Sequence, residues 1–230
     1  MIADSQLTND SKNVLRFFIV RHGQTDHNKK KIMQGHLNTA LNEEGFHQAA
    51  LVGERFKDVP IDAFVSSDLT RCQQTVGEIY QHHKIKDGID LRLTPNLRER
   101  AMGEVEGMYL KDALEKYGPA FRSLGETRKE LLTRLWKEWD EIVDYGVEND
   151  YTNVLICTHG GVITNFINHL YSDLKYGLSD SITEDDLKVP FNTSVTVVDV
   201  EKSSKKGIIQ SFGDTSHLGA QLKVKDQQLR

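Results

Sequence analysis

A chain of 230 residues with 38% hydrophobic content is long enough to bury the core of one large domain. Its 29 Lys and Arg against 34 Asp and Glu leave a net charge of −5. No overall basic field draws such a chain to nucleic acid or an anionic membrane, so any anion site must be a local cluster of positive charge. No apolar run approaches the roughly 20 residues of a membrane-spanning helix. The start, MIADSQLTNDSKN, lacks the apolar segment of a secretory signal. Cys72 and Cys157 are far apart in sequence and in no metal-ligand spacing, which points away from a disulfide framework and towards a reducing compartment, the cytoplasm or nucleus.

Residues 1–13 read as a flexible polar tail and 14–230 as one domain. Phe17–Val20 (FFIV) is a short β-rich run of the kind that is buried on both faces of a sheet. From Asn42, a capping residue, Phe46, Ala49, Ala50, Gly53 and Phe56 fall at helical spacing. Ala63–Ser66 (AFVS) is the next strand, and a helix from about Leu69 turns Cys72, Val76, Ile79 and Tyr80 to one face. Leu91–Thr94 is a short strand ended by Pro95. Between Gly107 and Gly146 the pattern is helical, with an apolar stripe of Leu131, Leu132, Leu135, Trp136, Trp139, Ile142 and Val143. Residues 107–146 are expected to include a helical cap over a site, from about Met108 to Leu124. Val154–Cys157 (VLIC) is a buried strand, then THGG opens a helix with Val162, Ile163, Phe166, Ile167 and Leu170 inward. Ser194–Val200 and Gly207–Phe212 close the set. Strands alternating with helices predict an α/β fold, a three-layer α/β/α sandwich with a mostly parallel central sheet.

Ligands of such sheets bind beyond the carboxyl ends of the strands. At those ends stand Arg21-His22-Gly23, then Ser67, Asp68 and Arg71, then Arg98-Glu99-Arg100, then Thr158-His159-Gly160-Gly161. Singly, each reads as a solvated or structural polar group. Together they bring two histidines, several arginines and a carboxylate to one rim, a combination suited to a phosphoryl dianion. Gly160-Gly161 opens a helix, whose N–H groups and dipole also favour an anion. There is no Walker loop, no carboxylate cluster for magnesium and no zinc spacing, so the expected chemistry is phosphoryl transfer onto a side chain, without metal or other cofactor. Cys157 lies in an apolar run, where a buried thiol is unreactive, whereas a neutral imidazole is nucleophilic near pH 7. Nearby arginines would favour that neutral form. These considerations do not rank His22 against His159.

RHGQTDHN resembles the RHGxTxxN signature of the histidine phosphatase superfamily, branch 1, which includes cofactor-dependent phosphoglycerate mutases and fructose-2,6-bisphosphatases. The similarity continues in family order to Leu218, through IMQGHLNTALNEEGFHQA, SSDLTRCQQT, LRERAMGEVEG, THGG, NTSVTV and DTSHL. The resemblance implies a phosphoglycerate mutase-like fold with His22 as the nucleophile that becomes phosphohistidine. It implies that Arg21, Arg71 and His159 hold the phosphoryl oxygens. Glu99 would protonate the leaving group and then activate water. Asn28, Gln34, Gly35 and the Gly160 N–H would complete the pocket, and Gly23 would keep a side chain from crowding the phosphate. Arg98, Arg100, Lys111 and Arg122 are candidates to meet a second acidic group of the substrate.

The segment after the glutamate motif lacks the paired arginines and proline run of the mutase insert, and GEVEG with a later GET is similar to the phosphatase side. The expected activity is therefore a broad phosphomonoesterase acting on a small phosphorylated metabolite, a phosphosugar or phosphoglycerate. The alternative is a cofactor-dependent phosphoglycerate mutase. A catalytically dead phosphate-ligand-binding protein is a third reading, against which the presence of both His22 and Glu99 weighs. The long amphipathic helix is expected either in the core or across a homodimer. His217 is expected to be structural, and His27, His82 and His83 to be exposed. Asn192-Thr193-Ser194 fits a glycosylation sequon but reads more simply as the start of a strand near the site.

Overall fold

Strand β1 (Val14–Arg21) organises the computed structural model, which describes residues 7, 9, 11–84 and 89–224. Side chains alternate along a strand. Leu15, Phe17 and Ile19 accordingly face one helical layer, while Phe18 and Val20 face the other. That alternation explains why FFIV is apolar at every position. β4 (Asn153–Thr158) pairs with β1 in parallel, and β6 (Val195–Glu201) pairs antiparallel on its other side. Beyond β4 lie β2 (Ala63–Ser67) and the edge strand β3 (Asp90–Thr94), both parallel. Beyond β6 lie β7 (Gly207–Asp214), antiparallel, and the short β5 (Gly177–Leu178). Among the described residues this makes one seven-stranded, mostly parallel sheet of order β3-β2-β4-β1-β6-β7-β5.

Two layers of helix cover it. Helix α2 (Glu43–Phe56), capped by the Asn42 side chain on the Gly45 N–H, and α3 (Thr70–His82) cover the Phe18 face. Helices α5 (Arg128–Glu148) and α6 (Gly160–Ser172) cover the Phe17 face, where the Trp139 ring lies 4.3 Å from that of Phe17. The long helix α5 thus packs in the core of its own chain. Two expected core residues do not turn inward with their helices. Trp136 on α5 and Phe46 on α2 are exposed, at 38% and 37%. Each sits one position, about a quarter turn, from the buried stripe of its helix.

The remaining α-helices are the one-turn α1 (Asp26–Lys30) and α4 (Leu110–Tyr117), the latter running into a 3₁₀ turn over Gly118–Ser123. Met33, Val105, Leu110, Ala113 and Phe121 close a small separate core there. The Leu110 N–H donates to the Lys31 carbonyl at 2.9 Å, which staples α4 to the loop after α1.

Part of the expected tail is packed. Leu7 is buried against the α2–α3 layer, and Asn9 donates to the carbonyls of Val14 and Thr152 at 2.9 and 3.0 Å. The rest of that expectation, at residues 1–6, 8 and 10, lies outside the described residues. His83 is also not exposed: it is 2% accessible, with Nε2 at 2.7 Å from the Val59 carbonyl. Cys72 and Cys157 meet in the α2–α3 layer as free thiols, and burial pushes the pKa of Cys157 well up. No helix among the described residues is long and apolar enough to cross a membrane.

Candidate active site

The carboxyl end of β1 delivers Arg21 and His22 between β4 and the loop that precedes β6. The His22 N–H donates to the Thr158 carbonyl at 3.0 Å, and the Arg21 N–H to that of Ser194 at 3.2 Å. Asn192 Nδ2 holds the His22 carbonyl at 2.9 Å, and the Thr193 N–H holds that of Arg21 at 3.0 Å. A side-chain bond then selects the tautomer of His22. Its Nδ1 lies 2.7 Å from the Gly23 carbonyl, and a carbonyl only accepts, so Nδ1 carries the proton. In the neutral ring the lone pair is therefore on Nε2, the arrangement a nucleophile requires. Gly23 is a glycine for a different reason from the one expected: a Cβ there would lie 2.5 Å from the Gly45 carbonyl, so the close approach is to α2.

Arg71, in the first turn of α3, is 1% accessible. Its Nη1 donates to the Leu37 carbonyl at 2.7 Å and Nη2 to that of Gly35 at 2.9 Å. Its Nε lies 3.2 Å from His159 Nδ1. A guanidinium has no acceptor, so His159 accepts on Nδ1 and donates from Nε2 to Ser67 Oγ, 2.9 Å away. Burial, followed by the charges of Arg71, His22 and Arg21, holds the His159 pKa well below the usual imidazole value. His159 is thus a neutral ring that sets the plane of the Arg71 fork, 5.2 Å centroid to centroid from His22. Arg21 is 2% accessible and donates from Nη1 to the Pro190 carbonyl at 2.7 Å. A Cβ on Gly160 would lie 3.1 Å from Arg21 Nε, which places the start of α6 against that guanidinium.

Two amides are oriented by Thr25, which is fully buried. Its N–H donates to Asn28 Oδ1 at 3.1 Å, and its hydroxyl donates to Gln34 Oε1 at 3.0 Å, where Thr39 Oγ1 also donates at 2.6 Å. Both amide oxygens are thereby engaged by the protein, which leaves the NH₂ ends of Asn28 and Gln34 as donors. Thr25 is the threonine of the RHGxTxxN signature, but the sequence assigns it no role of its own. A signal was available, because Thr25-x-x-Asn28 forms a capping box at α1.

Glu99 is held from four directions. Its carboxylate accepts from the Gly161 N–H and the Arg100 N–H, both at 2.9 Å. Its carbonyl accepts from His36 Nε2 at 2.8 Å and from Arg134 Nη2 at 3.0 Å. Neither His36 nor Arg134 is expected at the site from sequence. Nothing local in the sequence distinguishes Arg134. Gly35, with φ +48°, could not carry a side chain, because a Cβ would collide with Glu106 Oε1.

Arg98 and Arg100 both have partners within the protein. Arg98 is locked bidentate on Asp68, at 2.7 and 2.6 Å. Arg100 Nη1 donates to the carbonyls of Leu124 and Glu126 at 2.6 and 3.1 Å, tying the Glu99 segment to the end of the 3₁₀ turn. Lys111 and Arg122 are exposed, Arg122 over the ring of Phe121. His217 is structural: Nε2 lies 3.2 Å from Thr193 Oγ1, behind the turn that holds Arg21.

The sequence model of the histidine phosphatase superfamily, branch 1, matches residues 17–212, the span that contains every residue of this cluster. The chain belongs to that superfamily. It is 39% identical to the broad-specificity phosphatase YOR283W of Saccharomyces cerevisiae, over 96% of each chain. It is 34% identical to a probable phosphatase of Schizosaccharomyces pombe, over 89% of this chain and 95% of that one. A crystal structure of phosphoglycerate mutase from Bacillus anthracis superposes with a TM-score of 0.75 at 25% identity, covering 90% of this chain and 96% of that one. The chain is accordingly a phosphatase of the histidine phosphatase family, a phosphoric monoester hydrolase with a phosphoglycerate mutase-like fold.

Proposed function

We propose that the enzyme hydrolyses phosphomonoesters of small metabolites, without a metal, through a phosphohistidine on His22. The observation that carries this reading is the Nδ1 proton of His22 held by the Gly23 carbonyl, which puts the lone pair of the neutral ring on Nε2. Nε2 attacks phosphorus, the ester P–O bond breaks, and the leaving oxygen takes the proton of Glu99. Water then attacks the phosphohistidine, Glu99 takes a proton from that water, and the P–N electron pair returns to Nε2. Arg21 and Arg71 balance the charge that spreads over the phosphoryl oxygens. His159 acts through its bond to Arg71, and Asn28 and Gln34 supply neutral donors. Phosphosugars and phosphoglycerates are the substrate class, with breadth in keeping with the name of the yeast relative.

Quenching turnover in base and assaying acid-labile phosphate on the protein tests the mechanism. His22→Ala is expected to lose both turnover and trapped phosphate, and an active variant overturns it. The same pocket could return the phosphoryl group to a substrate, and the superposed Bacillus protein is named a mutase. Incubation with 3-phosphoglycerate and 2,3-bisphosphoglycerate separates the two. Free phosphate is expected; net 2-phosphoglycerate without free phosphate would select the mutase reading.

A further inference from the structure

We propose that His36 is a positioning residue that fixes the distance between the proton donor and the phosphoryl clamp, and so determines how well poor leaving groups are expelled. The proposal rests on Glu99 being that donor. His36 sits in the middle of the loop that orients Arg71: the carbonyl before it, Gly35, and the one after it, Leu37, both accept from the Arg71 guanidinium. Its own side chain crosses to the other wall, with Nε2 at 2.8 Å from the Glu99 carbonyl. Its backbone N–H is pinned by Glu106 Oε1 at 3.0 Å. One residue therefore joins the Arg71 segment to the Glu99 segment.

Arg134 also donates to the Glu99 carbonyl, but its other bonds run to Glu126 and the Asn96 carbonyl. It anchors the Glu99 segment to α5. The Gly161 N–H anchors the Glu99 carboxylate to α6. Without the imidazole, both anchors persist and the segment keeps its fold. What is lost is the bond that sets acid against clamp. A small misplacement of a catalytic group is costly to rate while leaving binding of the ground state nearly intact. Esters of acidic phenols leave without a proton, whereas alkoxides need one, so leaving-group dependence isolates this role from a general loss of structure.

The test compares kcat/KM on p-nitrophenyl phosphate and on glycerol phosphate for His36→Leu, which removes the donor, and His36→Gln, which keeps one. His36→Leu is expected to lose about 10-fold more on the alkyl than on the aryl ester. His36→Gln is expected to recover most of that difference. Competitive inhibition by inorganic phosphate should stay within about 2-fold, because the Arg71 contacts with backbone remain. Equal losses on both esters, or a glutamine variant no better than leucine, overturn the proposal. Should the leucine variant not fold, His36→Asn, too short to reach the carbonyl, takes its place with the same expectation. Glu99→Gln is measured alongside. If it shows no leaving-group dependence, Glu99 is not the donor and both readings fall. If it does and His36→Leu does not, the role of His36 alone falls.

Discussion

A Cβ on Gly161 would collide with Oε1 of Glu99, while the Gly161 N–H holds Oε2 of the same carboxylate. One residue at the start of α6 thus both makes room for the Glu99 carboxylate and holds it. Gly161→Ala is expected to displace the carboxylate and lower kcat/KM on alkyl phosphates by roughly 10²-fold, with a smaller loss on aryl phosphates. Steady-state kinetics on the two ester classes checks this. Glu99→Gln removes the proposed proton donor, and its loss on alkyl esters is expected in the range of about 10²–10⁴. The tautomer of His22 belongs to this scale too. It is chosen by one bond, from Nδ1 to the carbonyl of the next residue, which depends on Gly23 packing against Gly45.

Elements act by holding such residues against one another. Helix α5 illustrates how its stripe divides. Leu135 is 2% accessible within the core, and Trp136, its neighbour, is 38% accessible. Leu135→Ala is expected to cost roughly 2–5 kcal/mol in urea unfolding through the cavity it leaves. Trp136→Ala should cost less than Leu135→Ala, although it deletes the larger side chain, because its ring lies at the surface and its removal leaves a dent open to water instead of a closed cavity. The start of the same helix carries a capping box in which Thr127 and Glu130 satisfy one another's N–H groups. Thr127→Ala is expected to cost about 1 kcal/mol in the same unfolding assay. That loss would be felt at the site through Arg134, two turns along, which grips the Glu99 carbonyl.

For the whole molecule, buried neutral imidazoles tie stability to pH. Burial, with Arg55 next in effect, lowers the His217 pKa to about 4, and burial likewise holds that of His159 well below the usual value. Both pKa values lie below the unfolded value of about 6.5. At pH above 6.5 neither state binds the proton. As pH falls below 6.5 the unfolded chain binds protons that the folded chain refuses, so stability is lost on the acid side and rises with pH up to about 6.5. For His217 the loss is complete near pH 4 and amounts to about 3 kcal/mol. Urea midpoints measured from pH 7 down to 4 should fall steeply for the wild type and less steeply for His217→Asn. The cost of charging His217 would appear in structure as well as in energy, since its ring backs Thr193, whose N–H holds the Arg21 carbonyl.

Local pattern was enough to read the strand cores, the helices of both layers and the rim where their polar ends collect, because burial on a sheet imposes period two or continuous apolarity and burial of a helix imposes a stripe. The family, too, was legible from the chain alone, since RHGQTDHN and the later motifs fall in order along it. Which charges serve the site was not. Arg98 and Arg100 flank Glu99 and looked available, yet Asp68 and the carbonyls of Leu124 and Glu126 take them. Arg134 and His36, 35 and 63 positions from the carbonyl they grip, carry no local signal of that contact. A hydrogen bond of that kind is a fact about distance in space, and only the packing of α5 and of the 34–39 loop around the Glu99 segment brings donor and acceptor within reach. The same holds for the roles of the two histidines: tautomer and charge depend on which acceptor each ring nitrogen meets, and that is set by folding the distant segments together.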